Sequence, residues 1–336
     1  MTGFLSFAYH QLTFRPQPLP PTVRLDGQTA IVTGSSAGLG FEAAAELAAH
    51  GLARLVLAVR SEARGEAARA RIAAASPACD VRAWLLDQDD LADRARTQLD
   101  RLDIACLNAG LKRLRFGLAA AAAPQQTQHE AHVQVNHPGT ALLSLLLLSP
   151  LRRTARATGS PSRLTITASS VAFYGAPTEL LLPRDGGSSG MLQWLDDPAS
   201  FGRDGSADRY NLSKLLNVLW MRALAARVDG AEDRVVVVIN ALNPGYCRSE
   251  FHRADPGAER LGRWVAWSAE QGAWHITDAA TRHPDSHGQY LSEQRIRPVS
   301  RFVLSPEGKA AQDKLWNETL ELFRKEVEGI DLSEFE

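Results

Sequence analysis

Thr29-Ala-Ile-Val-Thr33-Gly34-Ser-Ser36-Ala-Gly38-Leu39-Gly40 is the stretch on which the reading of this 336-residue chain turns. Its first five residues are apolar or β-branched and read as a strand. They run straight into three closely spaced glycines, and Gly38 to His50 reads as a helix. Glycine lets a backbone turn sharply and pass close to a ligand. A helix start offers unpaired N–H groups and a positive dipole end to an anion such as a pyrophosphate. Between a strand and a helix, this arrangement opens a dinucleotide-binding βαβ unit.

The same alternation continues outward. Strands are expected at 54–59, 81–86, 103–107, 164–168 and 235–242. Helices are expected at 62–75, 89–99, about 125–157 and about 207–227. Such alternation predicts α/β architecture: a single Rossmann-like, doubly wound parallel sheet with helices on both faces. Residues 1–24, with four prolines within 15–21, are expected to form an extended N-terminal arm. Residues 25–304 form the catalytic domain, and 305–336 a C-terminal helix packed on it. That helix is capped by Ser305, begins at Pro306, and carries the stripe Trp316, Leu320, Phe323 and Val327. Two segments break the pattern. Residues 173–208, with Met191, Leu192 and Trp194, are expected to be a substrate lid. Residues 248–274, with Trp264, Trp267 and Trp274, are expected to be a substrate loop.

Lys plus Arg (37) nearly balance Asp plus Glu (38). A net charge of −1 gives no reason to expect nucleic acid or an anionic membrane as partner. Cys79, Cys106 and Cys247 lack any CxxC pairing, so free thiols in a cytoplasmic, reducing setting are expected. No metal site is expected: His275, His283 and His287 have no ligand spacing and read as surface or loop residues. The longest apolar run, 141–148, is too short to span a bilayer and reads as a buried helix. A weak membrane contact through Phe4, Leu5 and Phe7 is the second reading of the arm, after a surface arm folded onto the domain.

Two places carry chemistry. Arg60-Ser61 ends the second strand where an acidic residue would bind a ribose 2′-hydroxyl and repel a 2′-phosphate. A guanidinium there suits the phosphate of NADP(H). Tyr210 and Lys214 lie four apart on one helix face. A phenol has a pKa of ~10, too high for ready proton transfer. An ammonium ~4 Å away at an effective dielectric of ~20 contributes ~4 kcal/mol. That would lower the phenol by ~3 units.

The order Thr33-Gly-x-x-x-Gly38-x-Gly40, Asn108-Ala109-Gly110, Ser170, Tyr210-x-x-x-Lys214, Pro244-Gly245 resembles a short-chain dehydrogenase/reductase over nearly the whole chain. Asn243-Pro-Gly-Tyr-Cys-Arg-Ser249 and Ser286-His-Gly-Gln-Tyr-Leu291 resemble the retinol-dehydrogenase-like branch and its fungal secondary-metabolite reductases. The resemblance implies roles. Gly34, Ser36, Gly38, Leu39 and Gly40 would hold the pyrophosphate and adenosine side, Arg60 the 2′-phosphate and Asp87 the adenine. Asn108, Ala109 and Gly110 would line the cofactor, and Pro244, Gly245 and Ser249 would face the nicotinamide. Ser170 would bind the substrate oxygen, Tyr210 would move the proton, and Lys214 would also bind the nicotinamide ribose. Asn136 would hold a water continuing a proton relay from Lys214.

Of the adjacent Ser169 and Ser170, strand alternation lets only one face the site, and the family pattern places it at Ser170. Pro138 should kink the helix behind Asn136. Cys247 reads as a lining residue, with no His nearby to make it a nucleophile. The reaction expected is NADP(H)-dependent interconversion of a ketone or aldehyde and an alcohol on a small apolar metabolite. Two other readings stand beside it: a catalytically silent NADP(H)-binding regulator, and a sugar-nucleotide epimerase or dehydratase. Family members often pair through the helices of Asn136 and Tyr210, and the C-terminal helix could block this, so monomer and homodimer both stay open.

Overall fold

The computed structural model describes residues 4–86, 88–113, 115–119, 129–174, 190–201, 206–228, 236–248, 262 and 264–335. Its centre is one eight-stranded sheet in the order β3-β2-β1-β4-β5-β6-β7-β8. The strands are β1 Thr29–Thr33, β2 Arg54–Val59, β3 Asp80–Leu85, β4 Ile104–Leu107, β5 Ser162–Thr167, β6 Val237–Asn243, β7 Tyr290–Ser292 and β8 Arg295–Arg297. The first seven pair in parallel. The eighth turns back antiparallel on β7, so the wholly parallel sheet expected gains an antiparallel edge. A two-residue hairpin permits that reversal where a parallel return would need a crossover.

Twelve α-helices are described: α1 Phe4–Thr13, α2 Gly38–Ala49, α3 Glu62–Ala75, α4 Gln88–Gln98, α5 Ala131–Asn136 and α6 Pro138–Leu146. There follow α7 Leu148–Thr158, α8 Met191–Leu195, α9 Ser206–Val228, α10 Ala269–Thr281, α11 Arg301–Leu304 and α12 Pro306–Glu326. Side chains alternate across β1 as a strand buried on both faces requires. Ala30 and Val32 join the core under α2, α3 and α10. Ile31 joins the opposite core under α4, α6, α7, α9 and α12.

Three expectations are corrected. The arm is not extended throughout, because α1 precedes the prolines; residues 14–20 carry no helix or strand, and a turn follows at 21–22. The single helix expected at 125–157 is three, with breaks at His137 and Leu147. Pro138 cannot donate to the carbonyl of Gln134, nor Pro150 to that of Leu146, so each proline breaks the ladder four residues earlier. The segment expected as a loop to Trp274 ends at Ser268, which with Gln271 forms a capping box opening α10.

The C-terminal helix starts as read, with Ser305 as cap and Pro306 in its first turn. Trp316, Leu320 and Phe323 are buried. The indoles of Trp316 and Trp220 stack with centroids 4.6 Å apart, fixing α12 on α9.

Candidate active site

Strand order reverses between β1 and β4, where β1 sends its chain on to β2 and β4 lies on the other side. Such a switch point opens a crevice at the carboxyl ends of the strands. Thr33 ties the two strand ends together there. Its hydroxyl accepts the N–H groups of Asn108 and Ala109, both at 2.9 Å, and its carbonyl accepts Asn108 Nδ2 at 3.1 Å. Gly34 (φ +67°) and Gly38 (φ +60°) hold the left-handed backbone the turn needs. A Cβ on Gly40 would lie 2.5 Å from the Gly34 carbonyl, so only glycine lets α2 approach this closely. Ala37, the residue capping α2, offers no side-chain hydrogen bond. The first N–H groups of α2 therefore face the crevice without a side-chain acceptor, as an anion site requires. Ser36 and Leu39 flank them, half-buried.

Arg60 is exposed at the end of β2. The Ser61 hydroxyl beside it caps α3, accepting Arg64 N–H at 3.5 Å, which leaves its O–H to donate. Asp87 and Ser249 lie outside the described residues.

The chemical residues gather at the mouth of β4, β5 and β6. Lys214 is buried, and its Nζ donates to the Thr167 carbonyl at 2.8 Å. A Cβ on Gly110 would sit 3.6 Å from that Nζ and 3.4 Å from Asn136 Oδ1, which places the three residues side by side. Nζ lies 5.9 Å from the centre of the Tyr210 ring. Desolvation by burial pushes the Tyr210 phenol up and brings Lys214 down to about 8. Burial thus acts against the lowering that the Lys214 charge was expected to give.

Asn136 is fully buried and committed. Its Nδ2 donates to Leu111 O at 3.0 Å and Ser213 Oγ at 2.8 Å, and its Oδ1 accepts Leu111 N–H at 2.7 Å. Both amide hydrogens are spent on protein. The side chain thus fixes the strand-end loop, and a water could use only the remaining Oδ1 lone pair or the backbone.

Ser169 caps the turn beginning at Ser170, accepting Val171 N–H at 3.4 Å, which leaves Ser170 as the hydroxyl of interest. Ser170 also hydrogen-bonds the Tyr174 phenol, whose pKa burial nonetheless raises. Sequence reading missed Asn243. Its Oδ1 accepts the N–H groups of Ser170 at 3.1 Å and Gly245 at 3.2 Å, joining the oxygen-binding turn to the Pro244-Gly245 loop. The signal lay in Asn243-Pro-Gly, where attention went to the residues after it.

Gly245 (φ +79°) lies beneath the Trp267 ring, which a Cβ there would overlap. Cys247 is buried and donates its thiol to Pro244 O at 3.3 Å; burial raises it to about 12, which disfavours a thiolate nucleophile. His275 is no surface residue. It is 3% exposed, brought down to about 4 mainly by burial, and stacked on Trp267. His283 and His287 are half-buried, bonded to Asp278 and to Val237 and Ala225 carbonyls. Among the described residues no His, Cys, Asp and Glu cluster could hold a metal, and no helix is long and apolar enough to cross a membrane.

The expected lid also changes character. Met191 and Leu192 are buried in the main core, and Trp194 packs against it. Met191 and Leu192 N–H groups donate to the Glu318 carboxylate of α12 at 2.8 and 2.9 Å. Residues 175–189 and 202–205 lie outside the described residues.

The family model for short chain dehydrogenase matches residues 28–179, which hold the glycine turn, Asn108, Asn136 and Ser170. The short chain dehydrogenase sol3 of Alternaria solani is 51% identical over 304 residues, 88% of this chain and 99% of its own. The short chain dehydrogenase/reductase mfmJ of Annulohypoxylon moriforme is 34% identical over 338 residues, 96% of this chain and 93% of its own. Two solved structures share the fold. A short chain dehydrogenase from Shigella flexneri complexed with NADP is 21% identical, covering 81% of this chain and 99% of its own, with a TM-score of 0.56. The RhlG/NADP complex of Pseudomonas aeruginosa is 23% identical, covering 82% of this chain and 97% of its own, with a TM-score of 0.58.

Proposed function

Since the chain belongs to the short-chain dehydrogenases, we propose that it is an NADP(H)-dependent oxidoreductase interconverting a carbonyl and an alcohol on a small apolar metabolite. The observation that carries this is the meeting of Lys214, Gly110 and Asn136, with Tyr210 one helical turn before Lys214 and Ser170 at the end of β5.

The crevice fits the cofactor. Gly34, Ser36, Gly38, Leu39 and Gly40 present an uncapped helix start to a pyrophosphate, and exposed Arg60 offers a guanidinium to a 2′-phosphate. Asn108, Ala109, Gly110, Pro244 and Gly245 line the rest, and Lys214 would reach the ribose. The solved relatives complexed with NADP support the same choice. When bound, NADPH would supply a hydride to the carbonyl carbon. Ser170 then donates to the oxygen as it gains charge, and Tyr210 gives it a proton. A phenol raised by burial is held protonated at neutral pH, the state that reduction requires of a donor. Lys214, held by Thr167 O, stays near enough to offset the phenolate left behind.

The test is NADPH oxidation across apolar ketones and aldehydes, with Tyr210→Phe as control. Turnover should fall at least about 100-fold in the variant while NADPH still binds. Full activity in Tyr210→Phe would remove the mechanism. NADPH binding with no turnover of any carbonyl would favour the silent regulator.

A further inference from the structure

The N-terminal arm is tied to the domain by hydrogen bonds at Gln11 and Gln17. Gln11, on α1, is 5% exposed. Its Nε2 donates to the carbonyls of Tyr246 at 2.9 Å and Val265 at 3.1 Å, and its Oε1 accepts Tyr246 N–H at 3.1 Å. The two segments it touches are themselves paired: Trp267 N–H donates to Tyr246 O at 2.9 Å and Arg248 N–H to Trp267 O at 2.8 Å. One side-chain amide therefore closes the neck of the loop that follows Pro244-Gly245. Phe14 packs beside the Trp267 indole, with centroids 5.9 Å apart, and that indole covers Gly245.

An independent observation lies in the β7–β8 hairpin. Glu293 and Gln294 both have φ +54°, a region that favours glycine or asparagine. Strain of this kind persists where the surroundings over-determine it, and it gathers at functional sites. Here the strained residues grip the arm. Glu293 meets His10 Nδ1 at 2.6 Å and also pairs with Arg297. Gln294 accepts Gln17 N–H at 2.8 Å and donates to Gln17 O at 2.7 Å.

We propose that Gln11 is a positioning residue: through it the arm sets the loop Gly245–Cys247, and so the way a substrate approaches the transfer site. Its consequence for turnover rests on the oxidoreductase reading above; its hold on the loop does not. The arm precedes residues 28–179, the part matched by the family model.

The experiment uses the full chain with Gln11→Met, which keeps length and bulk without the amide, and Gln294→Gly. Glycine suits φ +54°, so the second variant releases the arm without a folding defect. Amide hydrogen exchange at Tyr246 should quicken about tenfold in Gln11→Met, and at Gln17 about tenfold in Gln294→Gly. With the best carbonyl substrate of the unaltered chain, both variants should raise KM about tenfold and leave kcat within about twofold. Unchanged exchange at Tyr246 in Gln11→Met would overturn the proposal, as would faster exchange with an unchanged KM. If the unaltered chain oxidises NADPH with no carbonyl, the oxidoreductase reading fails, and Tyr246 exchange alone still decides whether Gln11 holds the loop.

Discussion

At the residue scale, Lys214 shows the cost of putting chemistry inside a fold. The residue is 3% exposed, its ammonium donates to the Thr167 carbonyl, and burial brings its pKa down to about 8 from an ordinary 10.5. The sign follows from proton counting. Between pH 8 and 10.5 the unfolded chain keeps the proton on this lysine and the folded chain has released it. The unfolded state then binds more protons, so stability rises with pH across that window. Below pH 8 the full penalty of the buried charge is present. Lys214→Met should lose activity at least about 100-fold. It should also remove this rise, which is worth up to about 3 kcal/mol between pH 8 and 10.5. Urea unfolding of both proteins at pH 7.5 and pH 10 checks it, because other titrating groups cancel in the difference. Parallel pH dependences would mean that Lys214 titrates near its ordinary value. The spacing of Tyr210 and Lys214 was legible in the sequence. The Thr167 carbonyl 47 positions away, which holds Lys214, was not.

At the scale of elements, legibility followed the range of the interaction. The strands β1, β2, β4, β5 and β6 and the glycine turn announce themselves because burial on both faces and left-handed turns are local demands on residue type. The breaks at His137 and Leu147 were equally available from Pro138 and Pro150, yet the apolar run between them argued for one continuous helix. The place of α8 could not be read at all, because its first N–H groups find Glu318, 127 and 126 residues on. Met191 and Leu192 look like a substrate surface until that partner is known. The turn before α2 gives the sharpest element-level test. Gly40→Ala sets a methyl 2.5 Å from the Gly34 backbone carbonyl and 2.6 Å from Asn108 Nδ2, a side-chain nitrogen held by the Thr33 carbonyl. The turn must open, moving the N–H groups meant for the pyrophosphate. The NADPH dissociation constant should rise at least about tenfold, about 1.4 kcal/mol, in a fluorescence titration. Unaltered affinity would place the cofactor elsewhere.

For the whole molecule, the question is what α12 does on top of a complete sheet. It covers α9, the helix that carries Tyr210 and Lys214, through the stacked indoles of Trp316 and Trp220. Arg227 lies 4.1 Å over the other side of the Trp316 ring, and Thr319 meets His137 Nε2 at 2.9 Å at the break behind Asn136. Glu318 on the same helix anchors α8. One helix thus braces α9, α8 and the break behind Asn136, and its contact face is not open to a second copy. Trp316→Ala tests the brace. Losing a fully buried indole should cost about 3–5 kcal/mol in urea unfolding. The crevice between β1 and β4 lies away from this contact, so NADPH affinity should change less than about threefold well below the unfolding midpoint. A loss under about 1 kcal/mol would show that α12 merely rests on α9. An equal loss of NADPH affinity would show that the whole sheet, not only the substrate side, leans on it.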